Sequence, residues 1–119
     1  MSLHTDLAIH KQGTDLLSLA LDVQAQIPRV FRIALGARIT DECVGLLVSI
    51  ARANAARGAD RAVHIENLLE QLEVTIFLLR VSHDKRLIAH KLWATSIELT
   101  NSIGKQAGGW LKSAKPPKA

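Results

Sequence analysis

The side chains in this chain best suited to chemistry are its arginines. Arg29 and Arg32 lie three residues apart, Arg57 and Arg61 flank Gly58, and Arg80 and Arg86 bracket a polar stretch. Arg38 and Arg52 are fourteen apart, within about 40° of one another on an ideal helix at 100° per residue. A guanidinium donates two parallel hydrogen bonds from a planar fork, the geometry that grips a phosphate. Lys105 and Lys112 add two further cations near the end of the chain. The same residues also suit a second use, solubility and ion pairing between subunits. Charge alone leaves both open.

The acids offer less. Glu66, Glu70 and Glu73 are spaced to share one helix face. Such a stripe is ordinarily solvated, or it meets arginines of a neighbouring helix or subunit; a catalytic carboxylate pair is the weakest of the three readings. A di-iron bundle needs Glu-x-x-His motifs. Here Glu42, Glu66, Glu70, Glu73 and Glu98 are followed three residues later by Gly45, Leu69, Glu73, Ile76 and Asn101. His10, His64, His83 and His90 have no partners at a metal-binding spacing. Cys43 is the single cysteine, so neither an intramolecular disulfide nor a multi-cysteine zinc site can form, and its place on an apolar stripe marks it as a small core residue. No Gly-x-Ser-x-Gly elbow is present, and Gly104–Gly108 lacks the spacing of a phosphate loop. The expectation is a protein with no enzymatic activity, no metal and no cofactor.

The elements that carry these residues follow from composition. The 119 residues suffice for one domain and hold only four aromatics, Phe31, Phe77, Trp93 and Trp110. Leu and Ala dominate the apolar content, which favours helices over a sandwich or barrel. Base-stacking nucleic-acid modules are disfavoured for want of aromatic platforms. Net charge is +4, concentrated at residues 29–38 and in the last fifteen residues. No signal-peptide pattern opens the chain and no apolar run reaches the ~18–20 residues that cross a bilayer. The expected setting is therefore a reducing cytoplasm, away from membranes.

Helical spacing recurs four times. Leu16, Ala20, Val23 and Ile27 form the first row, which Pro28 ends. The second segment runs from about Pro28 to Arg57, with Ile39, Cys43, Leu46 or Leu47, Ile50 and Asn54 on one face. Gly36 is expected to bend it and Thr40 to cap a restart; Gly58 then suits a left-handed C-terminal position and Asp60 the next cap. The third row is Ile65, Leu68, Leu72, Thr75 or Ile76, and Leu79, ending at Ser82-His83-Asp84. The fourth is Ile88, Leu92, Thr95, Leu99, Ile103, Ala107 and Trp110, capped by Ser82 or Asp84. Short links between long helices predict an all-α, antiparallel up-down-up-down four-helix bundle over residues 1–112, with 113–119 a disordered basic tail.

The apolar stripes are wider than one bundle requires. Leu7, Ile9, Leu19, Val44, Val48, Val74, Phe77 and Leu78 fall off the core rows. Contiguous exposed apolar patches mark interfaces, so a homo-oligomer is expected.

Several short motifs point to a family. Ile27-Pro28-Arg29 is followed by Arg32, Leu35-Gly36 and Arg38-Ile39; Ser49-Ile50 precedes Asn54, Gly58 and Arg61. Helix three carries Leu69-Glu70 and Leu72-Glu73, and the end of the chain reads Ile103-Gly104-Lys105, then Gly108-Gly109-Trp110-Leu111-Lys112. With these the chain resembles, over residues 7 to 112, the four-helix-bundle superfamily of two related groups. One is Avd, the accessory variability protein of diversity-generating retroelements. The other is the protein encoded by intervening sequences in bacterial 23S rRNA genes. The resemblance implies a homopentameric barrel with a basic surface that contacts RNA or DNA and, on the Avd side, a reverse transcriptase. One departure stands out: Glu73 and Phe77 occupy positions where Avd-like third helices tend to be basic.

Two functional expectations result. The first is a non-catalytic bundle binding nucleic acid through Arg29, Arg32, Arg38, Arg52, Arg57 and Arg61, with Lys105 and Lys112 secondary. The second is a protein-interaction bundle whose arginines pair with Glu66, Glu70 and Glu73 across subunits. In either, Gly108 and Gly109 let another backbone approach beside Trp110 as an anchor, or Trp110 covers its own bundle's end.

Overall fold

The computed structural model describes residues 7–115. Four long helices account for nearly all of them: α1 (Ala8–Gln26), α2 (Arg38–Ala55), α3 (Gly58–Asp84) and α4 (His90–Ala114). Helix α2 is entered through a helical turn, Arg29–Phe31, and a π-helical stretch, Arg32–Ala37. No strand occurs among the described residues. Each long helix packs on the next in sequence, and α1 closes on α4. Helix α4 ends at Ala114, two residues beyond the boundary expected at 112; positions 116–119 of the expected tail lie outside the described residues.

The first three apolar rows pack as their spacing predicts. Leu16, Ala20, Val23 and Ile27 are fully buried, as are Ile39, Cys43, Leu46 and Ile50, and Ile65, Leu68, Thr75 and Leu79. Helix α2 buries Ala53 where Asn54 was expected, and leaves Asn54 half-buried. In α4 the row holds at Ile103 and Ala107 but is turned by about one residue before them. Ser96, Thr100, Ile103 and Ala107 face the core, whereas Thr95 is exposed and Leu92, Leu99 and Trp110 are half-buried. Four of the five buried hydroxyls among the described residues are satisfied within their own helices. Thr75 Oγ1 donates to Gln71 O (2.8 Å), Ser82 Oγ to Leu78 O (2.9 Å), Ser96 Oγ to Trp93 O (2.6 Å) and Thr100 Oγ1 to Ser96 O (2.9 Å). A hydroxyl so bonded behaves as a small core residue, because no polar atom is left unpaired.

Glutamine–hydroxyl pairs link neighbouring helices. Thr40 Oγ1 donates to Gln24 Oε1 (2.8 Å), joining α2 to α1, and Ser102 Oγ donates to Gln12 Oε1 (2.9 Å), joining α4 to α1. The Gln71 amide lies 2.8 Å from Ser49 Oγ, joining α3 to α2; with its nitrogen as donor it also reaches Gly45 O at 3.2 Å and Asn67 O at 3.3 Å.

Helix ends depart from the expected caps. Thr40 does not cap a restart: the chain stays helical from Arg29 to Ala55, and Thr40 Oγ1 bonds Gln24 and Gly36 O instead. Asp60 lies in the first turn of α3 without a capping bond, where its charge favours the positive end of the helix. Gly58 adopts a left-handed φ of +56°, but as the first residue of α3; α2 ends before it, at Ala55, with Ala56 extended. Helix α3 runs past Arg80 to Asp84, so Ser82 and His83 are helical and neither Ser82 nor Asp84 caps α4, which begins only at His90. The stop is made by Arg86, at φ +60°. Leu87 N–H bonds Ser82 O (2.8 Å) and Arg86 N–H bonds His83 O (2.9 Å), the paired bonds of a Schellman C-cap.

Candidate nucleic-acid interface

The structure divides the candidate cations between the two ends of α2. At 18 residues this helix is about 27 Å long. Arg29 and Arg32 precede it, Arg38 opens it, Arg52 sits in its last turn, and Arg57 and Arg61 open α3. Lys112 lies in the last turn of α4, which reaches the same end as Arg61 through Trp110. One continuous arginine stripe is therefore not formed.

The individual side chains differ in what they touch. Arg29, Arg52, Lys105 and Lys112 are exposed, with no ion pair or hydrogen bond among the described residues. Arg57 is exposed as well. Arg38 Nε pairs with Glu42 Oε1 at 3.2 Å, one helical turn away, while its side chain stays 55% exposed. Such a surface pair contributes little and leaves most of the guanidinium open to water. Arg32 Nη2 reaches back to Ile27 O at 3.3 Å, past the end of α1. Arg61 is engaged within the fold: Nε donates to Ala53 O (2.9 Å), Nη2 to Asn54 O (3.3 Å), and its guanidinium carbon lies 5.9 Å from the Trp110 ring centre. It satisfies carbonyls that the end of α2 would otherwise leave without partners. The Asn54, Gly58, Arg61 spacing thus has a structural meaning.

The π-helical stretch explains how Arg32 reaches the surface. At α-helical spacing Arg32, seven residues before the buried Ile39, would point into the core. The wider winding of Arg32–Ala37 carries it out; Ile33 in the same stretch is 87% exposed, and Val30 in the turn before it is 80% exposed. Gly36 is the buried member of this stretch. A Cβ there would stand 2.9 Å from Gln24 Cγ and 3.2 Å from Gln24 Cα, so α1 and the π segment meet at backbone distance.

The expected interface residues fall into two groups. Glu66, Glu70 and Glu73 are all exposed; Glu66 lies 3.9 Å from Lys115 Nζ, and Glu70 and Glu73 edge a groove of about 420 Å³ with Val74, Phe77 and Leu78. Gly108 and Gly109 have nothing within 4 Å of a built Cβ. Trp110 covers its own bundle, half-buried against the core beside Leu7, Ile9 and Gln106.

Burial pushes the Cys43 thiol up to about 12, against a lowering by its contact with Thr75, so the thiol is protonated and unreactive. No group of three or more His, Cys, Asp or Glu side chains among the described residues could hold a metal ion. No helix among them is long and apolar enough to cross a membrane. A family model described as bAvd-like matches residues 7–114. The chain belongs to the bAvd-like family. Neither a curated protein nor a solved structure matches it.

Sequence reasoning missed several features of this bAvd-like chain. A groove of about 560 Å³ between α1 and α4 brings Asp15, Asp22 and Glu98 together; the seven-residue spacing of the two aspartates was its only signal. His83 stacks on Trp93 with ring centres 4.9 Å apart and lies 3.3 Å from His90, Nε2 to Nδ1. The π segment has no sequence signal beyond Gly36.

Proposed function

We propose that this bAvd-like chain is a non-catalytic accessory bundle, up-down-up-down in topology. It assembles as a homo-oligomer, a pentamer in the first instance, and binds RNA or DNA through guanidinium and ammonium groups. Its partner is a reverse transcriptase or another nucleic-acid-processing protein. The observation that carries this reading is family membership across residues 7–114. Side-chain placement supports it: Arg29, Arg52, Lys105 and Lys112 point to solvent without intrachain partners among the described residues, and Arg38 is half open. Arg61 is a positioning residue in this scheme, and Arg52, Arg57 and Lys112 form the outer basic surface around it.

The experiment is a salt titration of binding to structured RNA and to duplex DNA. Phosphate contacts release counterions, so affinity should fall steeply between about 50 and 200 mM salt, with a slope of roughly −0.9 per duplex contact. Arg52→Ala and Lys112→Ala should each flatten that slope by about one contact. Absence of binding at low salt would overturn the reading.

A second reading is favoured by one observation. Phe77 is 69% exposed in the groove edged by Glu70 and Glu73, an apolar and acidic surface. In this reading the bundle is an interaction module, and the arginines of one subunit pair with Glu66, Glu70 and Glu73 of the next. Charge reversal at Glu70 and Glu73 should then dissolve the assembly while nucleic acid is ignored.

A further inference from the structure

The least explicable surface of the fold is the entrance to α2. Val30, in the helical turn Arg29–Phe31, and Ile33, in the π-helical stretch that follows, stand 80% and 87% exposed, flanked by Arg29 and Arg32. Aliphatic side chains held that far into water by regular backbone geometry call for a cover. The flanking charges define its chemistry: apolar at the centre and negative at the rim.

Such a surface exists on the same chain. Between α1 and α4 a groove of about 560 Å³ has Leu19, Leu92 and Leu99 among its walls and Asp15, Asp22 and Glu98 along its edges. Those three carboxylates have no cation partner among the described residues. From Gln12 to Asp22 the groove follows α1 for about 15 Å at 1.5 Å per residue, room for a helical segment of two to three turns. The acidic groove on α3 is smaller, about 420 Å³, and its stripe is already met by Lys115 at Glu66.

We infer that the Arg29–Ile33 protrusion of one copy docks in the α1–α4 groove of a second copy. Val30 and Ile33 cover the leucines, and Arg29 and Arg32 meet Asp15, Asp22 and Glu98. This rests on the oligomeric part of the reading above and names its contact. The two surfaces share no residue, so the pairing is head-to-tail: it closes as a ring when the rotation permits and otherwise propagates. It also removes Arg29 and Arg32 from the nucleic-acid surface and assigns them to assembly.

The test is charge exchange read by light scattering after gel filtration, with far-UV circular dichroism to confirm folding. The wild type should be larger than a monomer. Arg29→Glu with Arg32→Glu should reduce it to a monomer, and Asp15→Lys with Asp22→Lys should do the same. All four changes in one chain should restore the original mass. A monomeric wild type, reversals that leave the mass unchanged, or a fourfold variant that fails to recover would overturn the docking. So would dissociation on reversing Glu70 and Glu73 alone.

Cross-linking gives an independent readout that does not depend on repulsive variants. Native Cys43 is buried, so a chain carrying Ile33→Cys and Thr95→Cys presents only the introduced thiols. A short bis-maleimide should yield a covalent ladder with that chain and no cross-linked dimer with either single variant. A cross-linked dimer from Ile33→Cys alone would mean that the protrusion meets itself, which also overturns the proposal. RNA binding measured alongside separates the two claims. Charge-exchange rescue without RNA retention supports the docking and sinks the nucleic-acid reading; RNA retention with mass insensitive to these charges does the reverse.

Discussion

Arg61 and Trp110 are locked together: the guanidinium carbon lies 5.9 Å from the ring centre while Nε donates to Ala53 O at 2.9 Å and Nη2 to Asn54 O at 3.3 Å. One side chain thereby joins the end of α2, the start of α3 and the end of α4. Arg61→Lys keeps the charge and loses the fork. It should lower unfolding stability by about 1–2 kcal/mol in urea titration, through lost hydrogen bonds and weakened ring contact. A residue used only for phosphate would leave that midpoint unmoved.

Gly36 should tolerate no side chain. Its Cβ would meet Gln24 Cγ at 2.9 Å and Gln24 Cα at 3.2 Å, and the second of these is backbone. Gly36→Ala should cost about 1–3 kcal/mol, the range of overpacking, as measured by chemical denaturation.

Gly108 and Gly109 make the opposite case. Both are helical with open space around a built Cβ. Alanine at either position should raise the stability of the folded chain by about 0.5–1 kcal/mol, the helix propensity difference. Loss of assembly in the same variants would place another subunit's backbone against them.

The turn after α3 is closed by a non-glycine residue at positive φ. Arg86 sits at +60°, where L side chains carry strain. Arg86→Gly should raise the thermal midpoint, with a gain of about 1 kcal/mol.

Cys43 gives a pH signature. Its folded thiol is raised from an ordinary 9.0 to about 12 by burial. A raised pKa means the native state holds its proton longer than the unfolded chain. The associated stability is complete below pH 9.0 and declines as pH climbs towards 12. Alkylation by iodoacetamide at pH 8 should therefore be negligible in native protein and appear only as it unfolds.

Three of the four core rows were legible because their burial is carried by aliphatic side chains at regular spacing. The fourth holds at Ile103 and Ala107 and is off by one residue at Thr95 and Leu99. Ser96 and Thr100 look polar in a sequence, yet each returns its hydroxyl to its own helix and packs as an apolar group. Caps were misplaced for a related reason: Thr40, Ser82 and Asp60 are cap-forming types, but helix ends here are set by Pro28, Gly58 and the turn at Arg86. At the candidate site, the cations themselves were visible and their division between opposite ends of α2 was not. That division depends on chain path, and the exposure of Arg32 depends on a π turn that no residue spacing announces.

The glutamine–hydroxyl pairs described above tie α1 to α2, α2 to α3 and α4 to α1; the remaining joint, α3 with α4, has only self-bonded hydroxyls in its interior. That joint is held towards its extremities, by Arg61 on Trp110 at one end and by His83 on Trp93 and the turn through Arg86 at the other. It is a zipper fastened at top and bottom with smooth teeth between. Releasing the upper clasp should therefore loosen the α3–α4 edge before the three that are keyed.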